Sequence, residues 1–303
     1  MERDQMSIPT QELVINFHMT EVCNYRCTYC YAKWNDNQFR NELHLQPGQV
    51  EQLLSSLADF FLSANPFKQE FPYQTVRINF AGGEPMVLGK QFINALDTAK
   101  ALGFRTSIIT NGHFLTPDML QQSSSKLDML GISFDTADEL IAQSIGRADR
   151  RGHWLNANQL VRIANTYRQL NSKGQLKINT VVNPFNWYEN MSSLIAQVQP
   201  DKWKLLRVLP VHDVRQVITS EQYQAYVDRH APHVSNLIAE DNDAMWASYL
   251  MINPQGRFYQ NNGPEKGHLL SDPILKAGVE QAFSQIPFDF HAFANRYTHG
   301  VKS

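Results

Sequence analysis

Three cysteines, Cys23, Cys27 and Cys30, are the only ones in 303 residues, and they stand at C-x3-C-x2-C spacing. The apolar run Leu13-Val14-Ile15-Asn16-Phe17 precedes them and reads as a strand. A loop with that spacing can wrap three thiolates round three corners of an iron–sulfur cube. No fourth cysteine completes the set, so one iron would stay open to an outside ligand. A simple electron carrier, with four cysteines on its cluster, has no such opening, whereas a catalytic centre needs one. One alternative is a structural zinc site with His18 completing a Cys3His set, although no second C-x2-C pair exists to form the usual two knuckles. A disulfide framework fits poorly, because the number is odd and the spacing tight.

Other residues could serve the same site. Gly82-Gly83-Glu84-Pro85 follows a strand directly. Its glycines let a ligand approach the backbone, Pro85 fixes the exit of the turn, and Glu84 adds a carboxylate. Thr110-Asn111-Gly112 ends the next strand, an end that faces the active site in a parallel barrel; a plain turn explains the tripeptide equally well. In Arg77-Ile78-Asn79-Phe80, alternation puts Arg77 and Asn79 on one face, and Lys177 and Asn179 share a face in the same way. If Ile78, Phe80 and Ile178 pack under helices, both cations point inward. An unpaired charge there is costly even after relaxation, and a bound polyanion would offset it. Lys204 begins a later strand in a comparable position. That Lys177 and Lys204 simply reach solvent from strand starts stays open on the residues alone. The ten histidines show no H-E-x-x-H or other metal spacing and receive no catalytic role.

The elements that must position these residues alternate. Strands are expected at Thr75–Phe80, Thr106–Thr110, Asp128–Ser133, Lys177–Val182 and Lys204–Leu209. Helices are expected from Pro47 through Phe61, from Gly89 to Leu102, from Pro117, in a long polar stretch ending near Leu170, and from Met191 to Val198. With the first strand this gives six βα units, hence a parallel α/β sheet in an incomplete, TIM-like (β/α)6 barrel. The organisation read here is a short polar lead (1–12), a core (13–210) and a C-terminal extension (211–303) that closes the open side. Within the extension, Ala247–Ile252 and Arg257–Gln260 flank Asn253-Pro254-Gln255-Gly256 as a hairpin. A Gly-rich loop, Asn261–Gly267, and two helical pieces ending near Arg296 follow.

Hydrophobic residues make up 43% of the chain, enough for a full core. A net charge of −2 gives no reason to expect nucleic acid or an anionic membrane as partner. No run reaches membrane-spanning length, and Met1–Gln11 has neither an apolar signal core nor an amphipathic anchor. Cysteines committed to a metal loop suit a reducing compartment, so a cytoplasmic location is expected.

The cysteine loop, with Tyr29 in the aromatic slot before the last cysteine, resembles that of the radical S-adenosylmethionine (SAM) enzymes, in which the open iron binds the methionyl group of SAM. Gly82-Gly83-Glu84-Pro85 matches the motif that holds that group. The likeness extends to the viperin family. It is carried by Cys23-Asn24-Tyr25-Arg26-Cys27, Ile78 to Pro85, Ile132-Ser133-Phe134-Asp135, Ile145-Gly146-Arg147, Lys177 to Asn183 with Phe185-Asn186, and Trp203-Lys204. Towards the C-terminus it continues in Ser248-Tyr249-Leu250, Ala277-Gly278-Val279-Glu280 and Phe288-Asp289, so that it covers residues 13–297.

The resemblance implies a [4Fe–4S] cluster on the three cysteines and SAM beside Gly82, Gly83, Glu84, Asn111, Ser133 and Arg147, with Arg147 paired to the methionyl carboxylate. It implies a nucleoside triphosphate (CTP, UTP or GTP) whose phosphates meet Arg77, Lys177, Lys204, Lys266 and Arg296. Asn79 and Asn179 stand beside them, and Tyr249 lies near the ribose as hydrogen-atom or proton donor. The implied reaction removes the 4′-hydrogen and the 3′-hydroxyl, giving a 3′-deoxy-3′,4′-didehydro nucleotide that ends viral RNA chains. The electron would come from a flavodoxin- or ferredoxin-like donor. Animal viperins carry an N-terminal amphipathic helix and a Trp-containing tail; neither shows here, which suits a free prokaryotic enzyme of antiphage defence. Two other readings stay in view: a radical SAM enzyme acting on a peptide, often marked by extra C-terminal cysteines that this chain lacks, and a non-catalytic iron–sulfur or zinc module.

Overall fold

The computed structural model describes residues 12–30, 41–209, 217–241, 247–261 and 268–298, the side chains of 261 and 295–298 excepted. Seven strands run parallel in chain order: β1 (Glu12–His18), β2 (Thr75–Ala81), β3 (Arg105–Thr110), β4 (Met129–Ser133), β5 (Gln175–Val182), β6 (Lys202–Arg207) and β7 (Leu237–Glu240). β8 (Leu250–Ile252) pairs parallel with β1 on its other side, and β9 (Arg257–Asn261) and β10 (His268–Pro273) continue the sheet antiparallel. The order is β10-β9-β8-β1-β2-β3-β4-β5-β6-β7, an open sheet with β10 and β7 at its edges.

Helices cover the outer face: α1 (Gln49–Phe61), α2 (Pro66–Glu70), α3 (Lys90–Ala101), α4 (Pro117–Ser123), α5 (Glu139–Ser144), α6 (Ala157–Leu170), α7 (Ser192–Val198) and α8 (Ser220–His230). After β10 come α9 (Ile274–Ala277), α10 (Val279–Phe283) and α11 (Phe290–Thr298). α1 buries Val50, Leu53, Leu54, Leu57 and Phe61, a stripe at helical spacing. α6 starts on a capping box, in which Asn156 accepts from Gln159 N and the Gln159 side chain accepts from Asn156 N.

The strands explain the layering. Leu13, Ile15, Phe17, Ile78, Phe80, Ile108, Leu130, Ile132, Ile178 and Trp203 are fully buried, and they occupy paired register positions from strand to strand. Phe80 meets Phe92 of α3 nearly at right angles, centroids 5.8 Å apart, so this set faces the helices. The alternate residues face the concave side. There Asn79 donates to Asn16 (2.8 Å), and Ser107 donates to Asn79 (2.7 Å). The concave side is therefore polar, and the helix-facing side carries the core.

The parallel (β/α) architecture agrees with the expectation, with additions. A seventh βα unit, α8–β7, lies beyond residue 210, and β8 to β10 extend the same sheet. β8 and β9 form the expected hairpin. His268–Pro273 is a strand where the sequence suggests a helical start: Ser271 faces inward and its hydroxyl accepts from Phe258 N at 2.9 Å. Among the described residues no helix is long and apolar enough to cross a membrane.

Candidate active site

The parallel strands aim their C-terminal ends at one face, and the cysteine loop leaves β1 there. Backbone hydrogen bonds fasten it on two sides. Gly83 N and Glu84 N donate to Thr20 O and Val22 O at 2.7 and 2.9 Å; Arg26 N and Thr28 N donate to Gly146 O and Ile145 O at 2.9 and 3.1 Å. Both seams require glycine. A Cβ on Gly83 would stand 2.3 Å from Val22 O, and one on Gly146 2.1 Å from Arg26 O. Gly82 is held by the same approach to Thr20.

Side chains fix the remainder. Asp135 accepts from the Tyr29 hydroxyl, from Arg147 Nη1 at 2.9 Å and from Val181 N at 2.7 Å. Arg147 also donates to the carbonyl of Ser133 at the end of β4, and its guanidinium lies 5.7 Å from the Tyr25 ring centre. Glu84, 1% exposed, accepts from Thr110 Oγ1 (2.7 Å), Asn111 N (2.6 Å) and Met86 N (3.1 Å). Its carboxylate thus clamps the turn after β2 to the end of β3, and burial raises its pKa. Asn111 donates to Asn24 Oδ1 at 2.8 Å, and its amide nitrogen is 3.8 Å from Cys23 Sγ. Gly82, Gly83, Glu84, Asn111 and Arg147 therefore border the cysteine loop, with Ser133 reached through Arg147, and Arg147 and Glu84 already have internal partners engaged.

The three thiols are partly exposed and form no disulfide. Burial pushes the Cys23 pKa up to about 11 and that of Cys27 to about 12. Without metal Cys23 and Cys27 are neutral thiols, and metal must displace their protons. Three soft donors on a loop preshaped by its backbone fit an iron–sulfur cluster. The zinc alternative finds less support. A tetrahedral single-ion site would draw thiolates to roughly 3.8 Å of one another, given ~2.3 Å bonds. Among the described residues no three His, Cys, Asp or Glu side chains form such a group. His18 is turned to the Tyr259 hydroxyl, 3.2 Å from Nε2, and burial lowers its pKa to about 3.

The second part of the site lies on the concave side of the sheet. Arg77 is ion-paired with Glu12 (2.8 Å) and donates to Ser107 Oγ (2.8 Å), so it is not the uncompensated cation that alternation suggested. Lys204 is paired with Glu240. Lys177 is different: its amine makes no hydrogen bond or ion pair among the described residues. Its pKa falls well below the ordinary range, first through burial and then through Lys204. Glu240 opposes the shift in part, and Arg77 and Lys202 add to it. On the same face, Asn179 Oδ1 is buried without a hydrogen-bond partner. Tyr249 sits just before β8, and its hydroxyl lies 3.2 Å from both Lys204 Nζ and Glu240 Oε2. Those contacts bridge from the β8 side of the sheet to β6 and β7. Arg296 belongs to α11, but its side chain, like all of Lys266, lies outside the described residues.

Sequence reasoning missed Glu12, Asp135, Lys202 and Glu240. Glu12 and Lys202 were signalled only by alternation carried to the strand ends. Asp135 lies two residues beyond β4, as Glu84 lies three beyond β2. Glu240 had no signal, because its strand went unseen.

Comparison with known proteins agrees with this geometry. Residues 17–187 match the model of the radical SAM superfamily. A protein of Pseudoalteromonas ulvae named S-adenosylmethionine-dependent nucleotide dehydratase is 56% identical over 95% of this chain and 93% of its own. One of the same name from Psychrobacter lutiphocae is 35% identical, covering 96% of each chain. In fold, the chain is similar to native anSMEcpe with bound AdoMet (TM-score 0.65, 14% identity, 93% of this chain and 82% of that one). It is also similar to Streptococcus suis SuiB bound to S-adenosylmethionine (TM-score 0.62, 13% identity, 95% and 68%). Radical SAM proteins work with a [4Fe–4S] cluster and SAM, and the chain belongs to that superfamily and, within it, to the family of the S-adenosylmethionine-dependent nucleotide dehydratases.

Proposed function

We propose that this chain dehydrates a nucleoside triphosphate to its 3′-deoxy-3′,4′-didehydro analogue, a chain terminator that serves antiviral defence in the cytoplasm. The observation that carries the reading is Lys177, a buried amine on the concave face without a hydrogen bond or ion pair among the described residues, opposed by the cations Lys204, Arg77 and Lys202 and only partly offset by Glu240. Such a group is unfavourable until an anion joins it, and a polyphosphate provides the charge. Cys23, Cys27 and Cys30 would hold the cluster; Gly82, Gly83, Glu84, Asn111, Ser133 and Arg147 would surround SAM. When bound, these groups supply one-electron cleavage of SAM and a 5′-deoxyadenosyl radical able to take a hydrogen atom.

The chain's own residues do the rest. Lys177 and Lys204 take the phosphates, with Arg77 supporting from below and Lys266 and Arg296 assigned the same role from the resemblance. Asn79 and Asn179 flank them, and the unsatisfied Asn179 oxygen suits a hydroxyl donor. Tyr249, whose hydroxyl lies between the Lys204 amine and the Glu240 carboxylate, would pass a proton or hydrogen atom near the ribose. The base is left open among cytosine, uracil and guanine.

The test is mass spectrometry of the reconstituted protein with SAM, a reductant and all four nucleoside triphosphates. A nucleotide lighter by one water, formed with 5′-deoxyadenosine, is expected. SAM cleavage with every nucleotide unchanged would assign the chain another substrate, such as a peptide. Bound zinc without SAM cleavage would make it a non-catalytic module.

A further inference from the structure

Asp135 takes no part in the proposed function, yet its carboxylate, 1% exposed, has partners in three parts of the site. The hydroxyl of Tyr29, the residue before Cys30, donates to Oδ2. Arg147 Nη1, expected beside SAM, stands 2.9 Å from the same oxygen. Val181 N, on β5, donates to Oδ1 at 2.7 Å. A buried carboxylate requires such partners, because unpaired it is strongly unfavourable. What sets this one apart is where the partners lead.

Tyr29 belongs to the cysteine loop. Arg147 follows Gly146, whose carbonyl accepts from Arg26 N at 2.9 Å and seams that loop. Val181 lies on the concave side with Lys177 and Asn179, by strand alternation. Phe134 N donates to Asn179 O at 2.8 Å, and the Asp135 carboxylate carries the pairing on to Val181, past the end of β4 at Ser133. Asn186 Nδ2 donates to the Asp135 carbonyl at 2.7 Å, so the backbone beneath the carboxylate is fixed too. One side chain thus ties the cysteine loop, Arg147 and β5 to each other.

Hydrogen-atom transfer needs the reacting atoms roughly 3–3.5 Å apart, and a misplacement of about 1 Å can cost about 100-fold. On the proposed function, the loop and Arg147 hold the SAM end of that contact, and Lys177 and Asn179 of β5 hold the nucleotide end. We infer that Asp135 is a positioning residue joining the two ends. It keeps Arg147 and Tyr29 at a fixed distance from β5, so that cleavage of SAM leads to change in the nucleotide and not to idle turnover.

The test is Asp135→Asn, which keeps the shape and an oxygen for Val181 N but removes the charge and the acceptor that Arg147 and Tyr29 share. SAM is titrated into the reduced, reconstituted protein and followed by electron paramagnetic resonance; 5′-deoxyadenosine and dehydrated nucleotide are then counted together. The variant should need roughly ten-fold more SAM at the midpoint, as for the loss of a charge-assisted bond. Its yield of dehydrated nucleotide per 5′-deoxyadenosine should fall by about five-fold or more, while triphosphate affinity without SAM stays that of wild type. A variant that is only less stable would keep the wild-type SAM midpoint and the wild-type yield per cleavage, and that result would overturn the assignment. Should Asp135→Asn fail to fold, Tyr29→Phe removes one of the three ties and leaves the charge pair; a wild-type yield per cleavage in that variant would also overturn it. A wild-type protein that cleaves SAM and leaves every nucleotide unchanged would overturn the proposed function instead. The SAM midpoint would still decide the role of Asp135, supporting it if shifted in Asp135→Asn and overturning it if not.

Discussion

The cysteine loop and the cation cluster on the concave face are organised in opposite ways. The loop is shaped by backbone hydrogen bonds and by glycines that allow chain to touch chain. Its form exists before any ligand arrives, and burial keeps Cys23 and Cys27 protonated. The cation cluster is built from side chains on β2, β5, β6 and β7, and carboxylates already answer part of its charge. Lys177 is the cation that makes no hydrogen bond or ion pair among the described residues, Glu240 offsetting only part of its burial. One region is prepared by geometry, the other by leaving a charge unbalanced. Changes in the first should therefore act on cluster and fold, and changes in the second on substrate affinity.

Cys27→Ala should break this division most severely. Iron binding and SAM cleavage should both vanish, because each thiolate holds one corner of the cluster. Iron content and 5′-deoxyadenosine yield measure it; 5′-deoxyadenosine above background would contradict the assignment.

Gly146→Ala comes next. The added Cβ meets backbone, not a side chain that could swing away, at a residue with φ of 75°. A loss of about 2–4 kcal/mol and reduced cluster occupancy are expected. Gly152→Ala, at φ 80° with nothing within 4 Å of the new atom, should lose only about 1–2 kcal/mol. Equal losses in denaturant melts would show that strain alone, not the seam to Arg26, dictates the glycine.

Lys177→Met addresses the other region. Nucleoside triphosphate affinity should fall by about 1.5–3 kcal/mol, the range for a charge-assisted contact, while SAM binding is unchanged. Stability should rise. The folded pKa lies below the ordinary 10.5, so between the two values the unfolded chain binds the extra proton and stability climbs with pH. The gain from the variant is thus largest below the folded pKa and fades as pH approaches 10.5. Paired thermal melts at neutral and alkaline pH measure it. A variant less stable than wild type at neutral pH would show that Lys177 has a stabilising partner.

How much of this was legible follows from the same contrast. Cys23, Cys27, Cys30 and Gly82 to Pro85 are short contiguous runs whose spacing states the geometry. The placement of Ile78 and Phe80 opposite Arg77 and Asn79 followed from strand alternation. The partners did not. Glu12 to Arg77 and Glu240 to Lys204 are pairings between strands, and no spacing within one strand reports them. β7 is four residues long, too short for alternation to mark it, although Ser235-Asn236 before it and Asp241-Asn242 after it are turn residues. β10 reads Leu269-Leu270, an apolar pair that alternation cannot tell from a helix start. Glu84 was legible as a residue but not as a clamp, since its partners Thr110 and Asn111 lie one strand away.

The smallest expected effect sharpens the comparison furthest. If Lys177 is kept from its full charge by burial and by Lys204, a bound triphosphate reverses the second influence by setting negative charge beside it. The pKa of Lys177 must then rise on binding, and in the window between its free and bound values each binding event takes up a proton, roughly one at most. Calorimetry over a series of pH values, in buffers of different ionisation enthalpy, reads this uptake directly. It should be positive for the triphosphate, near zero for the matching nucleoside, and near zero for the triphosphate with Lys177→Met. A binding enthalpy that does not vary with buffer would mean that Lys177 keeps its protonation state throughout. The unbalanced charge would then not be the feature that selects the polyanion, and the distinction between the two regions would fail at the point where it was drawn.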